Sequence, residues 1–342
     1  MVSVAIAGAS GYAGGELIRI LGGHPKLEIS VLGAGGRAGE LLGAVHPNLS
    51  ALSELPLVDT TPDALAEAEL IFLALPHGES AALVAQLPEH LPIVDLGADF
   101  RLADSAQWDR YYGGSHAGTW TYGLPELPGQ RARIARARRV ANPGCYATAV
   151  AVALAPLLAA RLVSPQGIVV VAASGTSGAG RKPSDALLAT QVMGSMSAYK
   201  VGGVHQHIPE MEQSLAQVVG EGVEMSFTPL LAPMPRGIIA TCTAEVDSGV
   251  SESQVRDALM AAYASEPFVS VLPSGVWPQT SSVSGTNMVQ LQCALDTHAG
   301  RVIVVSAIDN LGKGAAGQAV QNANLMFGWD EITGLSVNGV AP

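Results

Sequence analysis

Charge is scarce in this sequence. Asp, Glu, Lys and Arg together supply 14% of the 342 residues, against about 25% in an average soluble domain. Sparse charge suits a chain that buries part of its surface against another subunit. Positive charge is scarcer still: 18 basic residues face 29 acidic ones, for a net charge of −11. That balance excludes an extended nucleic-acid-binding face, which needs basic surface to neutralise phosphates. Small anions remain accessible through local devices such as helix N-termini or single arginines. Cysteine is limited to Cys145, Cys242 and Cys293. An odd, widely spaced set excludes a disulfide framework and a zinc cluster, and fits a reducing compartment. No long hydrophobic run is present. The longest small-and-apolar stretch, 147–160, contains Pro156, is too short for a bilayer and reads as a core helix. The N-terminal MVSVAIAGAS lacks a basic leader region and reads as a first strand. A soluble cytoplasmic protein with no membrane partner is expected. There is no internal repeat, low-complexity tract or block of like charge.

What is present is an ordered alternation. The length suggests about two domains. Residues 2–7 form a short apolar run ending at glycine, and Ala13, Leu17, Ile20 and Leu21 follow at helical spacing. Strands are expected at 27–32, 70–75 and 92–96, with helices starting at Thr61-Pro62-Asp63 and over 80–87. This order predicts an α/β fold, a Rossmann-like doubly wound parallel sheet. The second half is richer in β segments, at 167–173, 223–231, 237–246, 283–295 and 302–308, with a helix at 251–264. That texture predicts an α+β domain with a mixed or antiparallel sheet. A small-residue helix at about 315–327 closes the chain. The change of composition puts the boundary near Cys145.

Gly8, Gly11 and Gly14 lie between the first strand and the first helix, in the spacing G-x-x-G-x-x-G. Glycines there permit a tight turn, close approach of backbone to a pyrophosphate, and close helix–strand packing. Dinucleotide binding is expected, and a plain structural turn is the competing reading. An enzyme using NAD places an acid at the end of the second strand to hold the ribose hydroxyls. Here that place reads Leu32-Gly33-Ala34-Gly35-Gly36-Arg37, with no acid before Glu40. NADP is therefore expected, with Arg37 available to a 2′-phosphate.

The sharpest chemical signal is Val140-Ala-Asn-Pro-Gly-Cys-Tyr-Ala-Thr148. Pro143-Gly144 forces a turn and a helical run follows, which sets Cys145 at a helix N-terminus. The dipole there favours thiolate, and first-turn amides can receive an oxyanion. A small buried thiol is the alternative. His205 and His207 stand two apart in Val204-His-Gln-His-Ile-Pro-Glu210 and share a face if the stretch is extended. One can serve as acid/base with Glu210 orienting it. No further ligands cluster nearby, so no metal is expected.

Together these segments resemble the N-acetyl-γ-glutamyl-phosphate reductases of the semialdehyde dehydrogenase family. The resemblance is carried by 8–17, Leu75-Pro-His-Gly78, Asp95-Leu-Gly-Ala-Asp-Phe-Arg101, Tyr122-Gly-Leu-Pro-Glu126, 141–148, 174–181, 205–210, Pro235-Arg-Gly237 and 308–319. It covers nearly the whole chain. The departure is Gln206, where that family often has arginine. The resemblance implies reduction of N-acetyl-γ-glutamyl phosphate to N-acetylglutamate 5-semialdehyde, the third step of arginine biosynthesis, in a homodimer or homotetramer. It also implies a cofactor domain of 1–144 rejoined by a C-terminal helix at about 314–342, and a catalytic and oligomerisation domain over 145–313. Cofactor contacts are implied at Gly8, Ser10, Gly11, Tyr12, Gly14, Arg37, Pro76, His77, Ser177, Gly178 and Asn310. Residues and resemblance agree on a route. Cys145 attacks the acyl phosphate, NADPH reduces the thioester, and His207, in preference to His205, handles the proton. An anionic acyl phosphate calls for fixed arginines, and Arg101, Arg181 and Arg236 are the candidates. The rival readings are an aspartate-semialdehyde dehydrogenase and a catalytically silent NADP-binding sensor.

Overall fold

The structure, a computed structural model, describes residues 1–247 and 249–340. The chain divides into two compact units. The first comprises Met1–Pro125, Gly129–Pro143 and Ala315–Leu335. Its strands are β1 (Val2–Ala7), β2 (Leu27–Gly33), β3 (Leu70–Leu73), β4 (Ile93–Asp95), β5 (Thr121–Tyr122) and β6 (Arg139–Ala141). They form one parallel sheet in the order β2-β1-β3-β4-β6-β5. The inner strands are apolar without alternation, as in the fully buried LIFL of β3, because both faces of the sheet are covered. One face carries the Tyr12–Leu21 helix and the Gly317–Met326 helix, with Leu17, Ile18, Val320 and Ala323 in its core. The other is filled by Leu65, Leu83, Leu87 and Phe100. Strand order reverses between β1 and β3. The crevice beyond their carboxyl ends is the place where such sheets receive ligands.

The second unit spans mainly Gly144–Gly314 and takes in Glu126–Pro128. Its strands are β7 (Ile168–Ser174), β8 (Ser197–Ala198), β9 (Met225–Leu231), β10 (Ile238–Glu245), β11 (Val269–Val271), β12 (Val289–Asp296) and β13 (Arg301–Ile308). The sheet is mixed, in the order β11-β12-β13-β10-β7-β9-β8. Helices Cys145–Ala159, Ile208–Val219 and Glu252–Tyr263 pack on it. Residues 146–158 of the first are all buried, which explains why that helix is apolar all round. Pro156 lies inside it and lacks the N–H that would bond the Val152 carbonyl. The Tyr263 hydroxyl donates to that carbonyl instead, at 2.6 Å.

Side chains alternate along the long strands. Cys242 on β10 and Val304 on β13 are buried. The opposite face shows Val169, Val171, Ile239, Thr241, Thr243, Ile303 and Val305 partly or fully exposed. The strand expected over 283–295 begins only at Val289. Ser284-Gly285-Thr286-Asn287 interrupts it: Gly285 is left-handed at φ +75°, and its amide bonds Asp309 Oδ2 at 2.6 Å. The last helix is entered through a π-helical turn, Gly312–Ala316. Among the described residues no helix is long and apolar enough to cross a membrane.

Candidate active site

Cys145 is the first residue of its helix, and Gly144, extended at φ −69° and ψ 150°, precedes it as cap. Glycine caps without a side chain, so the preceding amide needs a partner from elsewhere. Glu210, buried, accepts from the Gly144 N–H at 2.7 Å. The first bond of the helix runs from Thr148 N to Gly144 O at 2.9 Å, which leaves the Tyr146 and Ala147 amides outside the helical ladder. On another side, a Cβ at Gly314 would lie 2.8 Å from the Cys145 Cβ, so only glycine lets that segment approach the thiol. Cys145 is half-buried, whereas Cys242 and Cys293 are buried. Burial pushes the Cys242 thiol up to about 12 and the Cys293 thiol upward as well.

The His-x-His stretch is not extended. Pro209 occupies the first turn of the next helix, where its fixed φ is at home. His207 therefore becomes the cap residue, in the right-handed region at φ −84° and ψ −8°. The turn nonetheless brings the two rings together, 5.0 Å apart and edge to face. Both meet Tyr146, at 5.5 Å and 5.9 Å, and His205 also edges Phe227 and Tyr199. The Tyr146 and Tyr199 hydroxyls lie 2.9 Å apart. The His207 amide donates to His205 Nδ1 at 3.1 Å, so that nitrogen carries no proton. Burial, reinforced by the Lys200 charge, lowers His205 to about 4. Burial likewise raises both phenols, Tyr199 to about 12, and the Cys145 sulfur adds to the rise in each. The two histidines and two tyrosines thus form one cluster of rings, and its two phenols feel the Cys145 sulfur. Glu210, read from the sequence as a partner for a histidine, anchors the cysteine turn.

The candidate arginines are dispersed. Arg101 is buried and donates to the carbonyls of Asn142 and Leu96 at 2.8 and 2.7 Å, which fixes the strand end before Pro143. Arg236 pairs with buried Asp309 at 2.9 Å. Arg181 is exposed. Asn310 accepts from the Gly237 amide at 2.7 Å and donates to the Ser177 hydroxyl at 2.9 Å. Gly178 lies in the short turn that begins at Thr176.

In the first unit Gly8 is left-handed at φ +88°, and a Cβ there would strike the Ala74 carbonyl. A Cβ at Gly14 would strike the Gly8 carbonyl. Backbone therefore meets backbone at the switch point between β1 and β3. A cleft of about 460 Å³ opens beside it, lined by Gly8, Ser10, Ala34, Gly35 and Pro76 among others. Gly11 caps the first helix, and Tyr12 begins it, 41% exposed. Arg37 pairs with Glu40 at 2.8 Å. His77 stacks edge-on against Tyr112 at 5.6 Å. Asp99, buried, holds the His77 loop by accepting from the Gly78 and Ala81 amides at 2.7 and 2.9 Å.

Residues 3–137 match the NAD binding domain of semialdehyde dehydrogenases, and residues 145–310 match their dimerisation domain. A protein of Acidothermus cellulolyticus named N-acetyl-gamma-glutamyl-phosphate reductase is 61% identical, over 99% of this chain and 99% of its own. One of the same name from Streptomyces coelicolor is 57% identical, over 100% and 99%. The chain belongs to the N-acetyl-γ-glutamyl-phosphate reductase family. It is an oxidoreductase that uses a nicotinamide cofactor and associates with further copies of itself. The reductase shares its fold with solved aspartate-semialdehyde dehydrogenases. The Vibrio cholerae enzyme II complexed with ASA superposes with a TM-score of 0.71 at 16% identity, covering 96% of this chain and 98% of that one. The Candida albicans enzyme with NADP gives 0.71 at 15% identity, with the same coverage. Within this reductase, sequence reasoning overlooked Tyr199, Phe227 and Asp99. Tyr199 and Phe227 stand 54 and 82 positions beyond Cys145, and only the folded sheet gathers them.

Proposed function

We propose that this chain reduces N-acetyl-γ-glutamyl phosphate to N-acetylglutamate 5-semialdehyde and phosphate, using NADPH. The observation that carries this reading is Cys145 at the head of a buried helix, its turn tied by Glu210, with His205 and His207 gathered on Tyr146.

The Cys145 thiolate, favoured by the helix dipole, attacks the acyl carbon. The C–O bond to phosphate breaks and a thioester forms. When bound, the dihydronicotinamide supplies a hydride to the thioester carbon. The Tyr146 and Ala147 amides then hold the oxyanion of the hemithioacetal. Collapse of that oxyanion expels the thiolate and releases the aldehyde. His207 gives a proton to the phosphate oxygen as the C–O bond breaks, and is reprotonated from solvent before the next turnover. His205 is suited to orient rather than titrate, because it stays neutral near pH 7 with its Nδ1 already accepting from the His207 amide. Arg236 and Arg181 are the arginines we assign to the substrate's carboxylate, whereas Arg101 acts by shaping the Asn142 turn.

The glycine cradle at Gly8 and Gly14, the Gly11 cap and the adjoining cleft fit a dinucleotide. Ser10, Tyr12, Pro76 and His77 would hold it in the first unit; for Ser177, Gly178 and Asn310, in the second unit, a cofactor role rests on the family resemblance alone. NADP is preferred because the turn after β2 offers small residues and Arg37 but no carboxylate before Glu40. We assign the cofactor role to the first unit and the catalytic and oligomerisation roles to the second. A homodimer or homotetramer in the cytoplasm would cover the exposed face of β7, β10 and β13. The deciding assay is phosphate-dependent reduction of NADP with N-acetylglutamate 5-semialdehyde, run beside aspartate semialdehyde. Turnover of the first alone supports the reading; equal or preferred turnover of the second overturns it.

A further inference from the structure

The leaving phosphate of the proposed reaction is an anion that a cation would have to receive, and two cations of the second unit are already neutralised. Arg236 is paired with Asp309. Lys313 is paired with Glu126 at 2.6 Å, both fully buried. Lys200 differs. Its Nζ donates to the side-chain oxygen of Gln206 at 2.5 Å, a neutral partner, and it has no carboxylate partner among the described residues. Its charge reaches His205. The preceding residue, Tyr199, bonds Tyr146 and is close enough to Cys145 to respond to the sulfur's charge.

The backbone is unusual at the same place. Lys200 is left-handed at φ +45°, one of two non-glycine residues with positive φ among those described. The other, Arg161, follows the end of the Cys145–Ala159 helix, where that conformation is common. Lys200 sits in a turn between the edge strand β8 and the histidines, and Gly202 and Gly203 continue the turn at φ +88° and +78°. Strain of this kind persists only where the surrounding structure over-determines it, and it clusters at functional sites. Here the turn and the Gln206 amide place an uncompensated ammonium beside the His-x-His segment.

We infer that Lys200, steadied by Gln206, is the contact for the phosphoryl group of the acyl phosphate and for the phosphate that leaves. The assignment rests on the function proposed above. The phosphoryl group is attached to the carbon that Cys145 attacks, whereas the substrate's carboxylate lies at the far end of its chain. We assign the cation next to Tyr199 to the leaving group on that ground. An ammonium with three donors suits a group that changes its orientation as it departs. In an acidic protein such a charge has to be supplied locally.

The test uses the whole enzyme in the direction of NADP reduction, varying inorganic phosphate, semialdehyde and NADP separately. Lys200→Gln is expected to raise the KM for phosphate about 10–100-fold, the loss of one hydrogen bond to a charged group. The KM values for semialdehyde and NADP should stay within about two-fold. Lys200→Arg should restore part of the loss, and Gln206→Ala should raise the phosphate KM less than Lys200→Gln does. A binding readout is independent of turnover: inorganic phosphate should slow alkylation of Cys145 by iodoacetamide in the wild type and not in Lys200→Gln. If Lys200→Gln raises the semialdehyde KM instead, or leaves the phosphate KM and the protection unchanged, the inference is overturned. A wild-type enzyme with no phosphate-dependent turnover would overturn the proposed function, and the protection experiment would still judge Lys200.

Discussion

The Glu210 carboxylate receives the amide of Gly144, the residue before the thiol, at 2.7 Å across 66 residues of sequence. Both groups are buried. Removing the acceptor leaves a buried donor unsatisfied, which costs about 1–3 kcal/mol. Glu210→Ala should therefore lower the stability by about that amount and lower kcat as well, since the cysteine turn loses its tether. Glu210→Gln keeps an acceptor oxygen and should lose less of both. Urea unfolding and steady-state assays of the two variants check this; equal effects of Ala and Gln would show that the charge, not the tether, matters.

A second prediction concerns acid. His205 is held down to about 4, first by burial and then by Lys200, against about 6.5 in an unfolded chain. As pH falls below about 6.5 the unfolded state takes up a proton that the folded state refuses. The stability that the neutral ring contributes is complete above that pH. It is drained as pH falls towards 4. His205→Gln cannot take up that proton in either state. Its urea midpoint should fall less steeply between pH 6.5 and 4 than that of the wild type. Parallel slopes would contradict the burial argument.

The ion pair of Lys313 and Glu126 is closed to solvent, and Lys313 directly precedes the Gly314 that touches Cys145. Lys313→Met strands a buried carboxylate, and losses for breaking such a pair run at about 3–5 kcal/mol. Lys313→Met with Glu126→Leu removes both charges and should recover much of the loss. Denaturant titration of single and double variants measures it. A double variant no more stable than the single would place the effect in packing, not in charge.

Much of the first unit was readable because its signals are local. The apolar runs of β1 and β3, the three glycines and the Thr61 cap each declare themselves within a few residues, and the structure has Thr61 accepting from the Ala64 amide at 3.3 Å. Cys145 was legible for the same reason, since Pro143-Gly144 announces the turn. The histidine segment was half-legible. Its residues pointed to chemistry, but Pro209 in the following helix turned the expected extended stretch into a cap. Arg101 drew attention as a charged residue in a glycine-flanked segment, and only the fold shows its guanidinium donating to the carbonyls of Asn142 and Leu96. Tyr199, Phe227 and Lys200 had no sequence signal, because their relation to Cys145 is made by β8, β9 and the turn that follows β8.

The proposed preference for NADP can be moved at Ala34, which lines the cleft beyond β2. Ala34→Asp places a carboxylate where a 2′-phosphate would be repelled and ribose hydroxyls would be held. It should weaken NADP binding while NAD binding is kept or improved. Calorimetric titration of both cofactors checks it; a variant that still prefers NADP by the wild-type ratio would move the phosphate site elsewhere.

The central claim is that Cys145 carries the acyl group. The most direct measurement is mass spectrometry of peptides from enzyme quenched with N-acetyl-γ-glutamyl phosphate in the absence of NADPH, for the wild type and Cys145→Ser. An increment of one N-acetylglutamyl group is expected on the wild-type peptide containing Cys145. No acyl group is expected on Cys242 or Cys293, and almost no turnover in a folded Cys145→Ser that still binds NADPH. An acyl group found on another residue, or near-normal turnover by Cys145→Ser, would contradict it.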